Sequence, residues 1–298
     1  MNNRILLVAA ALFGGFMVSF TGTASAQDNN DSATVYSPEG EISPGTDAPS
    51  RERLMQAIES ASPERLATLL EYGERVECHA CVPLLERQLL ESDDALVREM
   101  SAWWLRRRPF GFGAVMRDIR AVLAEDANPV RRARAAEAIG EFMDPHGVAH
   151  LQTALTDSES MVRLAAVRGL GRINSPAGNA AIVAAFEDSS AEVRDAAVGQ
   201  VLYVNFFRDH DALLGRLADD SPQVRRRAAL AIAELNVAEA APALTAMLTG
   251  ETDPMVRQAA AYALGRIGSG DARSALTTAR ETEENSLVRD AIDIALRM

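Results

Sequence analysis

Lysine is missing from this 298-residue sequence, and all 30 basic residues are arginine. A GC-rich coding sequence is sufficient cause for that bias, and arginine forks at repeated helix interfaces are a second one. Aromatic residues are scarce at 5%, while the 48% hydrophobic share is carried mostly by Ala, Leu and Val. That palette suits close helix packing better than a β-sandwich. Positive charge is also in deficit, with a net charge of −12. A general nucleic-acid binder carries a basic footprint, so that class is excluded. Catalytic signatures are missing as well. There is no G-x-S-x-G elbow, no P-loop and no H-E-x-x-H helix, so no convergent constellation is visible and the chain reads as a non-enzyme with no cofactor.

The long uncharged apolar run is Ile5 to Phe20, preceded by Arg4 and followed by Ala24-Ser25-Ala26. A positive start, a short apolar core and an A-x-A site read as a secretory signal over residues 1–26, with the mature chain beginning at Gln27. A retained anchor is the competing reading, but a span needs about 20 apolar residues. No cysteine follows the run, so a lipid anchor there is not indicated. The expectation is an exported bacterial protein, periplasmic or extracellular, with no stable membrane insertion after cleavage. Residues 27–50 are polar, broken by Pro38, Pro44, Pro49, Gly40 and Gly45, and carry Asp28, Asp31, Glu39, Glu41 and Asp47 with no basic residue. Such a segment buries too little surface to offset its ordering entropy, and it reads as a disordered tether.

Order is expected from Arg51. RERLMQAIESA places Leu54, Ala57, Ile58 and Ala61 at helical spacing, and Pro63 opens a second helix closed by Gly73. These helices, within residues 51–79, lack the phrase that follows and read as an atypical N-terminal cap. From Val82 onward one phrase recurs. Val97, Val130, Val162, Val193, Val224, Val256 and Val288 are each followed by Arg, at steps of 33, 32, 31, 31, 32 and 32 residues. A fixed period of this length is the mark of a solenoid. Each unit reads as a helix pair, the first helix short and rich in Leu and Ala, the second carrying Val-Arg. Asn128-Pro129, Ser221-Pro222 and Asp253-Pro254 each place an oxygen acceptor at N-cap and Pro at N1. Gly171 and Gly265 fall nine residues after their Val, but Gly140 falls ten after Val130, so that unit is out of register by one. Val162, Ala165, Ala166, Leu170 and Ile173 form one apolar stripe. Seven pairs at about 10 Å each predict a curved rod on the order of 70 Å long.

The pattern D-x-x-x-VR-x-x-A-x-x-x-LGRI, best seen in DSESMVRLAAVRGLGRI from Asp157, resembles the short HEAT-like repeat first noted in phycobilin lyases. The resemblance covers residues 80–298. It implies an all-α fold, a right-handed α-α superhelix of about seven helix pairs, which binds other proteins along a concave surface lined by the second helices. The H-E pairs of the HEAT-repeat di-iron hydroxylases are absent. An exported chain would not meet cytoplasmic phycobiliproteins, and export and acidity both oppose a likeness to the HEAT-like DNA glycosylases.

Candidate residues fall into three groups. The Val-Arg arginines Arg98, Arg131, Arg163, Arg194, Arg225, Arg257 and Arg289 recur in every unit. They read as a structural ladder forking to cap carboxylates of neighbouring units, where Asp126, Asp157, Asp188, Asp220 and Asp253 recur, in preference to an anion-binding ladder. Cys78 and Cys81, the two cysteines of the chain, read as a local disulfide in an exported protein. A redox-active pair and a metal site are the alternatives; zinc would lack ligands, because His146, His150 and His210 lie in later repeats. The third group is where units disagree. Trp103, six after Val97, shares its offset with Arg168 and Tyr262, and with Arg107, Arg226 and Gln258 these are candidate partner contacts. Packing of Trp103 and Trp104 under the cap with Phe110 and Phe112 is the competing reading, and three arginines at a helix end also suit the macrodipole. The expected function is an exported scaffold with a protein partner. A redox or metal-handling protein using Cys78 and Cys81, or an accessory chaperone for an exported enzyme, are the alternatives.

Overall fold

The computed structural model describes residues 34–36, 42–44, 48–108, 111–204 and 207–298. The expected signal lies outside the described residues. In the expected tether, β1 (Thr34–Tyr36) and β2 (Ile42–Pro44) pair antiparallel, with Val35 opposite Ser43. Order reaches slightly further back than Arg51, because the Ser50 hydroxyl accepts the Arg53 N–H and caps the first helix.

The rest is an all-α solenoid of helix pairs. A cap of α1 (Arg51–Ser60) and α2 (Pro63–Tyr72) precedes α3 (Cys81–Glu91) and α4 (Ala95–Arg106). The pairs then run α5 (Phe112–Glu125) with α6 (Pro129–Glu141), α7 (Val148–Ala154) with α8 (Ser160–Ile173), and α9 (Pro176–Ala184) with α10 (Ala191–Gln200). They continue with α11 (His210–Gly215) and α12 (Pro222–Leu235), α13 (Ala241–Gly250) and α14 (Pro254–Ile267), and α15 (Gly270–Thr282) and α16 (Ser286–Ala295). No helix among the described residues is long and apolar enough to cross a membrane.

Small residues set how closely second helices approach one another. A Cβ on Gly140 would sit 2.7 Å from Gly169 Cα, and one on Gly265 would sit 2.7 Å from Ala295 Cβ. These glycines therefore lie inside the helices as contact points. The stops come later, in left-handed residues: Asn174 at φ 50°, Asn236 at φ 52° and Gly268 at φ 65°. Asn and Gly tolerate that conformation, and each backbone N–H satisfies a last-turn carbonyl.

The two ends are closed differently. At the N-terminal end Leu54, Ile58, Leu66 and Leu70 of the cap helices are buried against the first repeat. At the C-terminal end Asp293 and Arg297 stand where the preceding unit has buried Ala261 and Gly265, 32 residues earlier. Asp293 pairs with Arg280. Charge at positions that are buried in the preceding unit gives the unit of α15 and α16 a polar outer face.

Candidate functional site

The repeated arginines form an internal ladder. Two residues before the N-cap of each second helix from α6 to α16 stands a carboxylate: Asp126, Asp157, Asp188, Asp219, Glu251 and Glu283; in α4 that place is Ser92. Each accepts the backbone N–H of its N-cap residue at 2.8–3.2 Å. Four residues after the N-cap stands an arginine. Its Nη1 donates to the carbonyl six residues back, as in Arg163 to Asp157 at 2.8 Å. Its Nε and Nη2 fork onto the carboxylate of the next unit. The rungs are Arg132–Asp157, Arg163–Asp188, Arg194–Asp219, Arg225–Glu251 and Arg257–Glu283, all at 2.6–2.9 Å. One guanidinium thus clamps its own interhelix turn and its neighbour's.

The ladder corrects several expectations. In the unit of α6 the rung belongs to Arg132, because Val-Arg there stands one position earlier relative to the cap. Arg131 occupies the place of the buried Val of other units. It cannot be buried as a cation, so it turns back to Asp126 at 2.8 Å and to Glu91. Arg98 keeps its two turn carbonyls, on Ser92 and Asp93. It has no fork, since Arg131 holds Asp126 and the nearest acid is Glu137 at 4.0 Å. Arg289 is exposed and makes no fork among the described residues. The acceptors in the units of α12 and α14 are Asp219 and Glu251, where Asp220 and Asp253 were expected. Ser221 does not cap with its side chain; its hydroxyl turns to Gln223 at 2.9 Å.

Burial and bonding set the charge state of this ladder. All six carboxylates are held below their ordinary range. For Asp157, Glu251 and Glu283 the facing arginine is the main cause, and Glu251 falls from 4.5 to about 2. For Asp126 the main cause is the Asn128 backbone N–H, followed by Arg131. Burial pushes Asp188 and Asp219 upward, and the arginine fork with the backbone N–H outweighs it.

The varying residues share one face of the second helices, on which Arg168 and Ile294 are exposed and the others half-buried. Nine residues after the N-cap the row reads Trp103, Glu137, Arg168, Gly199, Leu230, Tyr262 and Ile294. Arg168 is exposed and makes no side-chain bond among the described residues, and Arg226 is the same. Gln258 is half-buried. Tyr262 packs on the core and donates its hydroxyl to Glu234 at 2.8 Å. Trp103 is half-buried under the Arg107 guanidinium, 4.1 Å from the ring centroid, and Arg107 also holds Glu74 at 2.8 Å. Arg168 and Arg226 are thus available to a partner, whereas Trp103, Arg107 and Tyr262 already serve intramolecular contacts. The bidentate pair of Arg227 with Asp195, at 2.9 and 3.0 Å, was not foreseen.

Cys78 and Cys81 lie at disulfide distance, Sγ to Sγ 2.08 Å, with 3% and 0% exposure. Thiol exchange with a second protein would require the loop to open. The turn before them is clamped from α4. Trp104, fully buried, donates Nε1 to the Gly73 carbonyl at 3.3 Å. Arg108 lies 3.6 Å over the Trp104 ring and donates to the carbonyls of Val76 and Glu74. Among the described residues no group of three or more His, Cys, Asp or Glu is placed to hold a metal. An open groove of about 420 Å³ between α5 and α7 is lined by Leu123, His150, Thr153 and Asp157, on the first-helix side.

Fold and surface together define a stacked α-solenoid whose repeated charge is neutralised internally and whose second-helix face differs in every unit. The chain matches the HEAT repeat family over residues 116–202 and 211–297, and it belongs to that family. The gap between the two matched stretches falls where α10 ends early. Among solved structures the chain is similar to Escherichia coli YibA, at 17% identity and a TM-score of 0.56, over 83% of this chain and 92% of that one. Kap121p bound to Pho4p is similar at 15% identity and a TM-score of 0.54, over 82% of this chain and 30% of that one. The CpcE–CpcF complex of phycocyanin lyase from Nostoc sp. PCC7120 aligns at 20% identity and a TM-score of 0.41, over 72% and 93% of the two chains. The first two likenesses show a shared fold. No curated protein matches the chain.

Proposed function

We propose that this protein is an exported, non-enzymatic adaptor that holds a protein partner against the face formed by its second helices. One observation carries the reading. What repeats is bonded internally, and what varies lines one face of the second helices, with Arg168 and Ile294 exposed and the other five residues half-buried. The row from Trp103 to Ile294 offers an indole, a carboxylate, a free guanidinium, a glycine, an isobutyl group, a phenol and a sec-butyl group in successive units. A polymer with a regular backbone calls for repeated chemistry, whereas one irregular protein surface calls for this kind of succession. Export rests on Arg4, the apolar run and Ala24-Ser25-Ala26, and cysteines at disulfide distance suit an oxidising compartment.

The test is affinity capture by the tagged mature chain from a periplasmic extract, in parallel with the Arg168→Glu, Arg226→Glu double variant. Both substituted residues are exposed, so the variant keeps the fold, which far-UV circular dichroism checks. The expected result is a defined partner retained by the parent and lost by the variant. Equal retention by both, or none by either, overturns the assignment of the face. N-terminal sequencing of the exported protein is expected to begin at Gln27.

A further inference from the structure

Most arginines on the varying side of the second helices are neutralised by a carboxylate. Arg107 pairs with Glu74, Arg172 with Glu141, Arg227 with Asp195 and Arg266 with Glu234. Arg168 and Arg226 are exposed and make no ion pair among the described residues. These two flank α10. Arg168 stands on α8 and Arg226 on α12. The helix between them has Gly199 at the row of Arg168 and ends one residue later, at Gln200. The nearest atoms to a Cβ on Gly199 would be those of the Arg227 side chain, at 3.7 Å and beyond, which is ordinary contact. Two free guanidinium groups thus stand on either side of a gap that α10 leaves without a side chain.

Two acids of α10 lie on the same side, and neither neutralises the pair. Asp195 is taken by Arg227, at 2.9 and 3.0 Å. Glu192 is exposed seven residues before Gly199, about 10.5 Å back along the helix. The separation of the two arginines is set by the frame. The rungs Arg163–Asp188 and Arg194–Asp219 tie the units of α8, α10 and α12 together. Second helices stack at about 8–10 Å, so α8 and α12 stand about 16–20 Å apart. Counted from the N-caps Glu159 and Ser221, Arg168 lies four positions further along its helix than Arg226, about 6 Å. Their Cα atoms are therefore about 17–21 Å apart.

We propose that this gap takes an extended acidic segment of the partner protein, laid across α8, α10 and α12, with one carboxylate on Arg168 and a second on Arg226. An extended chain rises about 3.3 Å per residue and returns side chains to one face at every second position. Carboxylates six positions apart then share a face at about 20 Å, which matches the separation of the two arginines. The main chain between them passes over Gly199, where no side chain stands in its way. Each arginine can fork onto its carboxylate, so direction is read as well as charge. Because the rungs hold the frame, the spacing of the acids is selected, and not acidity alone. The inference rests on the adaptor reading of this face and adds the chemistry of what the face holds.

The probe is a short synthetic peptide of Ser and Thr with two Glu six positions apart, titrated at about 20 mM salt, where screening is weak. The readout is the arginine Nε–H signals in nitrogen–proton correlation spectra of the labelled protein. Those of Arg168 and Arg226 are identified by their loss in the Arg168→Gln and Arg226→Gln variants. Both signals are expected to shift together. Binding weakens at least threefold for a peptide whose two Glu stand two positions apart, and at least threefold when both Glu are replaced by Gln. It weakens at least threefold for the Gly199→Leu variant, whose melting curve stays in place. No shift at the two arginines, equal shifts at other exposed arginines, or equal binding of the three peptides overturns the proposal. So does undiminished binding by Gly199→Leu. Affinity capture separates this inference from the reading it rests on. A partner retained by the parent and lost by the Arg168→Glu, Arg226→Glu variant, with no peptide binding, keeps the adaptor and overturns the acidic segment. Peptide binding with equal capture by both proteins does the reverse.

Discussion

Arg194 and Asp219 form the central rung of the ladder, with side chains 14% and 2% exposed. Arg194→Met keeps most of the apolar stem and removes the fork. Asp219 then stays buried with the Ser221 N–H at 2.9 Å and Arg216 at 3.5 Å as its remaining support. Breaking a buried pair by removing one partner costs about 3–5 kcal/mol. The two surviving contacts place this site at the low end, near 3 kcal/mol. Asp219→Asn leaves an acceptor for Ser221 and strands a guanidinium that still reaches the Asp188 carbonyl, so its cost is smaller, about 1–2 kcal/mol. The double variant lacks any stranded charge and is expected to be about 1–2 kcal/mol better than the sum of the singles. Urea unfolding at pH 7, followed by circular dichroism, measures all three. Because a solenoid is coupled unit to unit, the Arg194→Met curve should also broaden toward two transitions, one for each side of the weakened joint. Additivity within about 0.5 kcal/mol would show that the rung is not an energetic unit.

Acid should loosen the whole array. The six ladder carboxylates are depressed in the folded state, so their contribution is complete above the ordinary carboxylate range and declines as pH falls through the folded values, reaching about 2 for Glu251. The urea midpoint should be flat from neutral pH down to the ordinary value of 4.5 for Glu251 and then fall toward about 2; a midpoint that rises on acidification contradicts the ladder. Gly140→Ala meets the Gly169 backbone at 2.7 Å and is expected to cost about 1–3 kcal/mol. Gly171→Ala meets the flexible Gln200 side chain from its amide to Cγ at 2.9 Å, which must swing aside. It should be neutral or gain up to about 1 kcal/mol in helix propensity, and thermal melts of the two variants separate these outcomes. Replacing Cys78 and Cys81 together by Ser opens a very short loop. It should cost about 2 kcal/mol and leave the far-UV spectrum unchanged, whereas global unfolding would make that loop the anchor of the cap.

The helix pairs were legible because a period of 31–33 residues survives in Val-Arg, in the caps and in the small residues. The register of α6 was half legible. Gly140 at ten residues after Val130 signalled a one-residue slip, but nothing local said that Arg132, rather than Arg131, would carry the rung. Asp219 and Asp220 are adjacent, and only counting back two residues from the N-cap picks the first. Glu251 and Glu283 escaped because Asp recurs in the other units. They occur in the two units whose N-caps, Asp253 and Asn285, stand 32 residues after the preceding one, and their rungs span 26 positions instead of 25. Trp103 and Tyr262 looked like free contacts because their partners, Arg107 and Glu234, come from a different turn or a different repeat. Periodicity reports what every unit shares, and a contact made once leaves no period.

That distinction locates the surplus negative charge. The ladder consumes one acid and one arginine at each regular joint, so it contributes nothing to the net charge of −12. The surplus resides in acids that stacking does not use. Five of them, Asp28, Asp31, Glu39, Glu41 and Asp47, stand in residues 27–50, which carry no basic residue. Others, such as Glu125, Glu192 and Glu284, are exposed in or beside the turns that lead into the second helices. Because the rungs between α6 and α15 consume their charges in pairs, the free guanidinium groups of Arg168 and Arg226 stand out on the second-helix face, and the frame those rungs set fixes the spacing between them.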